Sequence, residues 1–169
     1  NFPLNLVIHK VAPAVASGCP IVIKPSPATP LTALKLAGLF EALVPGLVQV
    51  VLADDQATAG LTQAKEISTI SFTGSARVGW IIRKQAPEKP TTLELGGNAW
   101  VIVMEDTDPS LLPGIAKRIT RAAYGYAGQS CISVQNAAVA ENLAARLNEH
   151  LIRETEATIK KGDRVIATT

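Results

Sequence analysis

The chain has 169 residues, a net charge of +2, 47% hydrophobic and 18% charged residues, and two cysteines. That length makes one domain, or one and a fraction, able to bury roughly 70% of its unfolded surface. The low charge argues for strands covered by helices, or for a piece of a larger assembly. Basic residues are scattered without stacking aromatics, which excludes a nucleic-acid stripe. Two cysteines exclude a disulfide scaffold and lack metal-ligand spacing, so no metal and a reducing, cytoplasmic setting are expected. No apolar run reaches the ~18 residues of a membrane span, and no signal peptide is visible.

In chain order, Asn5 to Gly18 reads as a helix over its later part, stopped by Gly18. Ile21-Val22-Ile23-Lys24 is a buried β-branched strand ended by the turn Pro25-Ser26-Pro27-Ala28-Thr29-Pro30, where Thr29 can cap a helix with Pro30 at its first position and Leu31 to Leu43 at helical spacing. Leu47 to Leu52 is a second strand, Asp55 to Gln63 a short polar helix, and Thr69 to Phe72 a third strand. Gly74-Ser75 opens a helix through Ile82. Thr91 to Leu95 and Asn98 to Met104 are strands four and five. Asp108-Pro109 starts a helix to about Tyr124, followed by a glycine-flanked cysteine segment, a strand over Val134 to Val139, and a helix from Glu141. The tail reads as a helix over Arg153 to Lys161, a turn and a strand to Ala167. This alternation predicts an α/β fold: a Rossmann-like, mostly parallel sheet with helices on both faces, followed by the start of a second α/β unit. The boundary falls near Gly96-Gly97, giving 1–96 and 97–169.

Cys131 in Gly128-Gln129-Ser130-Cys131 and Glu94 in Leu93-Glu94-Leu95-Gly96-Gly97 form a possible nucleophile and base. A thiol can make a covalent intermediate, and a carboxylate can draw a proton from the water that releases it. On their own, a cysteine and a glutamate favour the structural reading, since most cysteines are small buried hydrophobes and most glutamates are solvated. Lys24 ends a strand where α/β sheets bind phosphate or ribose, or else snorkels from the strand end. Gly74-Ser75 is either a pyrophosphate site at a helix N-terminus or a capped helix start; it is not a Gly-x-Gly-x-x-Gly or P-loop motif. Cys19 reads as packing before a strand, and Trp80 and Trp100 as core or interface anchors. Asp106 and Asp108 read as helix-start acids.

These pieces, in this order, resemble the aldehyde dehydrogenase superfamily over residues 1 to about 150. Asn1-Phe2-Pro3 resembles the family's Trp-Asn-Phe-Pro segment, and Ile23 to Pro30 its Lys-Pro-Ser-Glu-x-Thr-Pro turn. Ser71 to Gly79 resembles Ser-Phe-Thr-Gly-Ser-x-x-Val-Gly, and Leu93 to Gly97 and Ala127 to Ser133 resemble the Leu-Glu-Leu-Gly-Gly and Gly-Gln-x-Cys signatures. The resemblance implies oxidation of a small-molecule aldehyde to a carboxylic acid, with NAD or NADP as hydride acceptor, by a homo-oligomer when full length. It assigns Cys131 as nucleophile, Glu94 as the base for thioester hydrolysis, and Asn1 with the Cys131 backbone N–H as oxyanion donors. Lys24 and Ser26 would meet the adenosine ribose or its phosphate, and Gly74 and Ser75 the pyrophosphate, with Gly79 and Leu95 completing the cofactor set.

Three departures qualify it. Pro27 replaces the family's ribose-binding glutamate, which favours NADP. The chain opens at the catalytic asparagine and ends soon after the cysteine. The junction at Leu151-Ile152-Arg153 reads as short, lacking the family's Gly-Asp-Pro loop. The rival readings are a CoA-acylating aldehyde dehydrogenase, which the resemblance makes less compatible with Glu94, and a truncated non-catalytic fragment.

Overall fold

Ile21–Ile23 (β1) and Val48–Val50 (β2) pair in parallel, Ile21 opposite Val48 and Ile23 opposite Val50. Ile70–Thr73 (β3) pairs in parallel with Thr91–Glu94 (β4), and Ala99–Val103 (β5) with Val134–Val139 (β6). Parallel neighbours need a crossover, and helices supply it in each case. These are Pro30–Glu41 (α2), Ala76–Gln85 (α4) and Leu112–Tyr124 (α5), with Asn5–Ala16 (α1), Asp55–Gln63 (α3) and Glu141–Lys160 (α6) completing the set. The structure, a computed structural model, describes residues 1–160. The strand expected near Val165 lies outside the described residues. Hydrogen bonding joins the strands as three two-stranded parallel ladders.

The chain divides into two units, Asn1–Leu95 and Gly96–Thr169. In the first, Val11, Ile23, Ala33, Ala37 and Val48 are buried, with Val7, Leu36 and Phe40 packed around them. The small Ala33 and Ala37 lie one turn apart on α2 and let that helix approach the β1–β2 ladder. In the second, Leu112, Ala116, Ile119, Leu143 and Leu147 join Val103 between α5, α6 and β5. Leu112 and Leu147 are fully enclosed, and each contributes about 2 kcal/mol by leaving water.

Helix ends follow local chemistry. Gly18 takes φ +70°, and the Cys19 N–H returns to the Ala14 carbonyl at 2.8 Å, which closes α1 where the sequence predicts. Asp54 caps α3 by accepting from Ala57 N at 2.8 Å. Asp108 accepts from Ser110 N at 2.8 Å, and those hydrogen bonds hold its carboxyl below the ordinary carboxylate value.

Several expectations are corrected. Pro30 takes the first helical position of α2 as the sequence predicts, but the Thr29 side chain makes no capping bond and the helix ends at Glu41 rather than Leu43. The helix expected from Asp108 to Tyr124 is split: Pro109–Leu111 is a 3-10 turn, and α5 begins at Leu112. Pro113 lacks the N–H that would donate back to Pro109, so the first turn cannot be α-helical there. The two terminal helices read from Glu141 and Arg153 are one helix, unbroken through Leu151, Ile152 and Arg153. Cys19 is exposed rather than packed, because the left-handed Gly18 turns it away from the core; Trp80 and Trp100 are 57% and 60% exposed and are not core anchors.

Candidate functional site

In the first unit, the predicted cofactor residues lie at or near the ends of two separate ladders, Lys24 and Ser26 after β1, and Gly74, Ser75, Gly79 and Leu95 around β3, α4 and β4. β1 ends at Ile23, so Lys24 emerges at its carboxyl end, half-buried, followed by buried Pro25 and exposed Ser26 and Pro27. The Ser26 hydroxyl accepts from Ala28 N at 3.3 Å and its carbonyl from Thr29 N at 3.0 Å. Ser26 is therefore part of the turn, with its hydroxyl proton still available to donate.

β3 ends at Thr73, directly opposite Glu94 at the end of β4, and the Gly74 N–H donates to the Glu94 carbonyl at 3.0 Å. Ser75 caps α4 by accepting from Val78 N at 3.4 Å, so the capped-start reading holds for its side chain. Gly74, Ser75, Ala76 and Arg77 are all exposed, which leaves the helix opening accessible to an anion. Gly79 and Leu95 meet each other: a Cβ on Gly79 would lie 2.6 Å from Leu95 Cδ2. The glycine thus lets α4 lie close on the strand end, and this packing is the role the geometry gives both residues. Asn1 is exposed, and the neighbouring Phe2 has φ 42°, a left-handed backbone that is costly for an aromatic residue and typical of functional segments.

Sequence reading missed Lys10. From α1 its Nζ donates to Thr73 Oγ1 at 2.6 Å and to the Leu6 carbonyl at 3.3 Å. Partial burial pulls the Lys10 ammonium below the ordinary lysine value, and the Glu94 carboxylate pulls it the other way. A cation thus sits beside the carboxylate singled out as base. Its only advance signal was position: the apolar stripe of α1 runs through Val7 and Val11, and a lysine on that stripe needs a partner.

In the second unit, Cys131 stands in a turn entered through an irregular segment. Tyr126, Ala127 and Gly128 have φ of 58°, 58° and 74°, three left-handed residues in succession. Two non-glycine residues in that region cost about 1 kcal/mol or more each, held by the surrounding structure. Ser130 organises the turn itself: its hydroxyl accepts from Ile132 N at 3.4 Å and its carbonyl from Ser133 N at 3.0 Å. Gly97 lies against this turn, where a Cβ would fall 2.6 Å from the Cys131 carbonyl oxygen. Cys131 is exposed and unbridged, as is Cys19. Among the described residues no group of three or more His, Cys, Asp or Glu is placed to hold a metal ion, and no helix is long and apolar enough to cross a membrane.

Parallel strands joined by helices, with Lys24, Gly74 and Leu95 just beyond strand ends and an exposed thiol in a glycine-flanked turn, define an α/β chain. The aldehyde dehydrogenase family model matches residues 1–169, and the chain belongs to that family. It is 42% identical over 160 residues to a 3-sulfolactaldehyde dehydrogenase of Priestia aryabhattai, covering 92% of this chain and 33% of that protein. A cysteine-to-alanine mutant of aldehyde dehydrogenase C from Pseudomonas syringae, complexed with NAD+ and octanal, superposes with a TM-score of 0.84 at 32% identity, over 94% of this chain and 33% of that one. The NADP-dependent glyceraldehyde-3-phosphate dehydrogenase of Bacillus halodurans, complexed with NADP, matches with a TM-score of 0.84 at 32% identity, over 93% and 33%. The chain thus spans about a third of the length of the relatives it matches.

Proposed function

We propose that this chain carries the nucleophile, the base and the cofactor-binding segment of an NAD(P)-dependent aldehyde dehydrogenase that oxidises a small aldehyde to a carboxylic acid. The observation that carries the reading is the close contact between Gly97, at the end of Leu-Glu-Leu-Gly-Gly, and the backbone of Cys131. It gives the spacing of the two motifs a physical reason.

In this reading Cys131 attacks the aldehyde carbon as thiolate, forming a C–S bond and a thiohemiacetal oxyanion. The Asn1 side-chain amide and the Cys131 backbone N–H hold that oxyanion. The nicotinamide dinucleotide, when bound, supplies the hydride acceptor that converts the thiohemiacetal into a thioester. Glu94 then takes a proton from water, whose oxygen attacks the thioester carbon, and the thiol leaves as the carboxylic acid forms. Lys10, tied to Thr73 beside Glu94, keeps positive charge next to the base. A hydrolytic base at Glu94 also argues for water rather than CoA as the acyl acceptor.

For the cofactor, Lys24 and Ser26 offer a cation and a hydroxyl at the end of β1, and the exposed start of α4 offers backbone N–H groups and a favourable dipole. Gly74 and Ser75 would lie at the pyrophosphate, with Gly79 and Leu95 holding helix and strand close enough for it. Pro27 supplies no carboxylate, so both NAD and NADP fit, and relatives complexed with each support that breadth. A homo-oligomeric, cytoplasmic enzyme acting on free aldehydes, without nucleic-acid or membrane partners, completes the reading; it rests on the family and on the composition.

The test is aldehyde-dependent NAD(P)H formation in Cys131→Ala and Cys19→Ala variants. Both thiols are exposed and free, so accessibility does not separate them; only the turn does. Cys131→Ala should abolish activity, and Cys19→Ala should leave it nearly intact. Equal losses would refute a single nucleophile.

A further inference from the structure

Parallel ladders rarely contain bulges, yet β6 has one immediately after the cysteine turn. Ala99 pairs with Val134, but the next residue of β5, Trp100, pairs with Asn136, so Gln135 is the extra residue. Two side-chain amides fasten this irregularity. Gln135 folds back onto the turn, its Nε2 donating to Ser133 Oγ at 2.5 Å and lying 3.5 Å from the Ser133 carbonyl. Asn136 Nδ2 donates to Asn98 Oδ1 at 2.5 Å, reaching across the bulge to the residue after Gly97.

Ser133 is 3% exposed and its N–H closes the turn onto the Ser130 carbonyl. A hydroxyl buried that deeply needs a partner, and the amide of the bulged residue provides it. The bond therefore joins the last residue of the Cys131 turn to the start of the strand that follows.

We propose that Gln135, through Ser133, is a positioning residue for the Cys131 thiol, with the Asn98–Asn136 bond holding the bulge that presents it. The proposal rests on Cys131 being the nucleophile. A sulfur held in one orientation reacts from a single geometry, whereas a loosened turn averages over orientations, most of them unproductive.

The test is the rate of iodoacetamide alkylation of Cys131 at neutral pH, read by peptide mass spectrometry and expressed relative to Cys19 in the same molecule. Gln135 is exposed, so its replacement leaves the core intact. In the unmodified protein Cys131 should react faster than Cys19. Gln135→Ala should lower the Cys131:Cys19 ratio about fivefold, the scale of one lost hydrogen bond. Gln135→Glu should restore it to within about twofold, because the Ser133 hydroxyl can donate to a carboxylate. An unchanged ratio in Gln135→Ala, or no rescue by Gln135→Glu, overturns the positioning role while leaving the nucleophile in place. If Cys131 reacts no faster than Cys19 in the unmodified protein, the nucleophile assignment fails and the proposal falls with it.

Discussion

The Cα of Gly97 lies so close to Cys131 that a methyl group there would sit 2.6 Å from the Cys131 carbonyl oxygen. The obstacle is backbone, not the free end of a side chain, so it cannot rotate away. Gly97→Ala must push the cysteine turn aside or strain β5, at a cost of about 1–3 kcal/mol. Gly96 is the matched control: a Cβ there meets nothing within 4 Å and its φ is not left-handed. Gly97→Ala should lower the urea midpoint and reduce kcat at least tenfold, while Gly96→Ala does neither. Equal behaviour of the two variants in urea titration and steady-state kinetics would show that the contact does not hold the turn.

Much of this arrangement is legible in the sequence because it depends on local chemistry. Gly18 ends α1, Asp55 to Gln63 is α3 with the predicted ends, and Gly74-Ser75 opens α4 through a Ser75 cap, all set by residues within a turn of each other. What was not legible depends on contacts between distant segments. The Lys10–Thr73 bond joins residues on different elements, and nothing in a run of helix residues announces its partner. The β6 bulge is invisible for the same reason: Val134 to Val139 reads as a regular strand until its register against β5 is known. Cys19 shows the reverse failure, where a residue read from its own neighbours as packing is turned outward by the backbone of Gly18.

Lys10 sets a pH-dependent contribution to stability. Its pKa is lowered in the folded protein from the ordinary 10.5, mainly by burial, with Glu94 opposing. Between the lowered value and 10.5 the unfolded chain binds more protons than the native one, so stability rises with pH across that window. The urea midpoint of the unmodified protein minus that of Lys10→Met should therefore increase as pH is raised from neutral toward 10.5. A difference that stays flat or falls would show that Lys10 is not desolvated in solution.

We propose that Pro27 governs the choice of cofactor. It cannot accept hydrogen bonds from a ribose as a carboxylate can, and it spares a 2′-phosphate a like-charge contact worth several kcal/mol in a desolvated site. Lys24 remains to meet the phosphate as a point charge. We expect kcat/KM with NADP to be at least comparable to that with NAD, and Pro27→Glu to shift preference toward NAD by more than about tenfold, the equivalent of 1.4 kcal/mol. Parallel kinetics with both cofactors decide it; strong NAD preference in the unmodified enzyme would remove Pro27 from control of the choice.

In the proposed reaction Cys131 carries the acyl group and Glu94 releases it. Glu94→Gln keeps the shape of the side chain and removes the base, so the first turnover should proceed and the thioester should persist. The decisive measurement mixes Glu94→Gln with propanal and NAD+, follows NADH, and then maps the acyl adduct by peptide mass spectrometry. A full-amplitude NADH burst is expected, with slow turnover afterwards and one propanoyl group on Cys131 with none on Cys19. A full burst with no adduct on Cys131, or rapid continued turnover without Glu94, would contradict it.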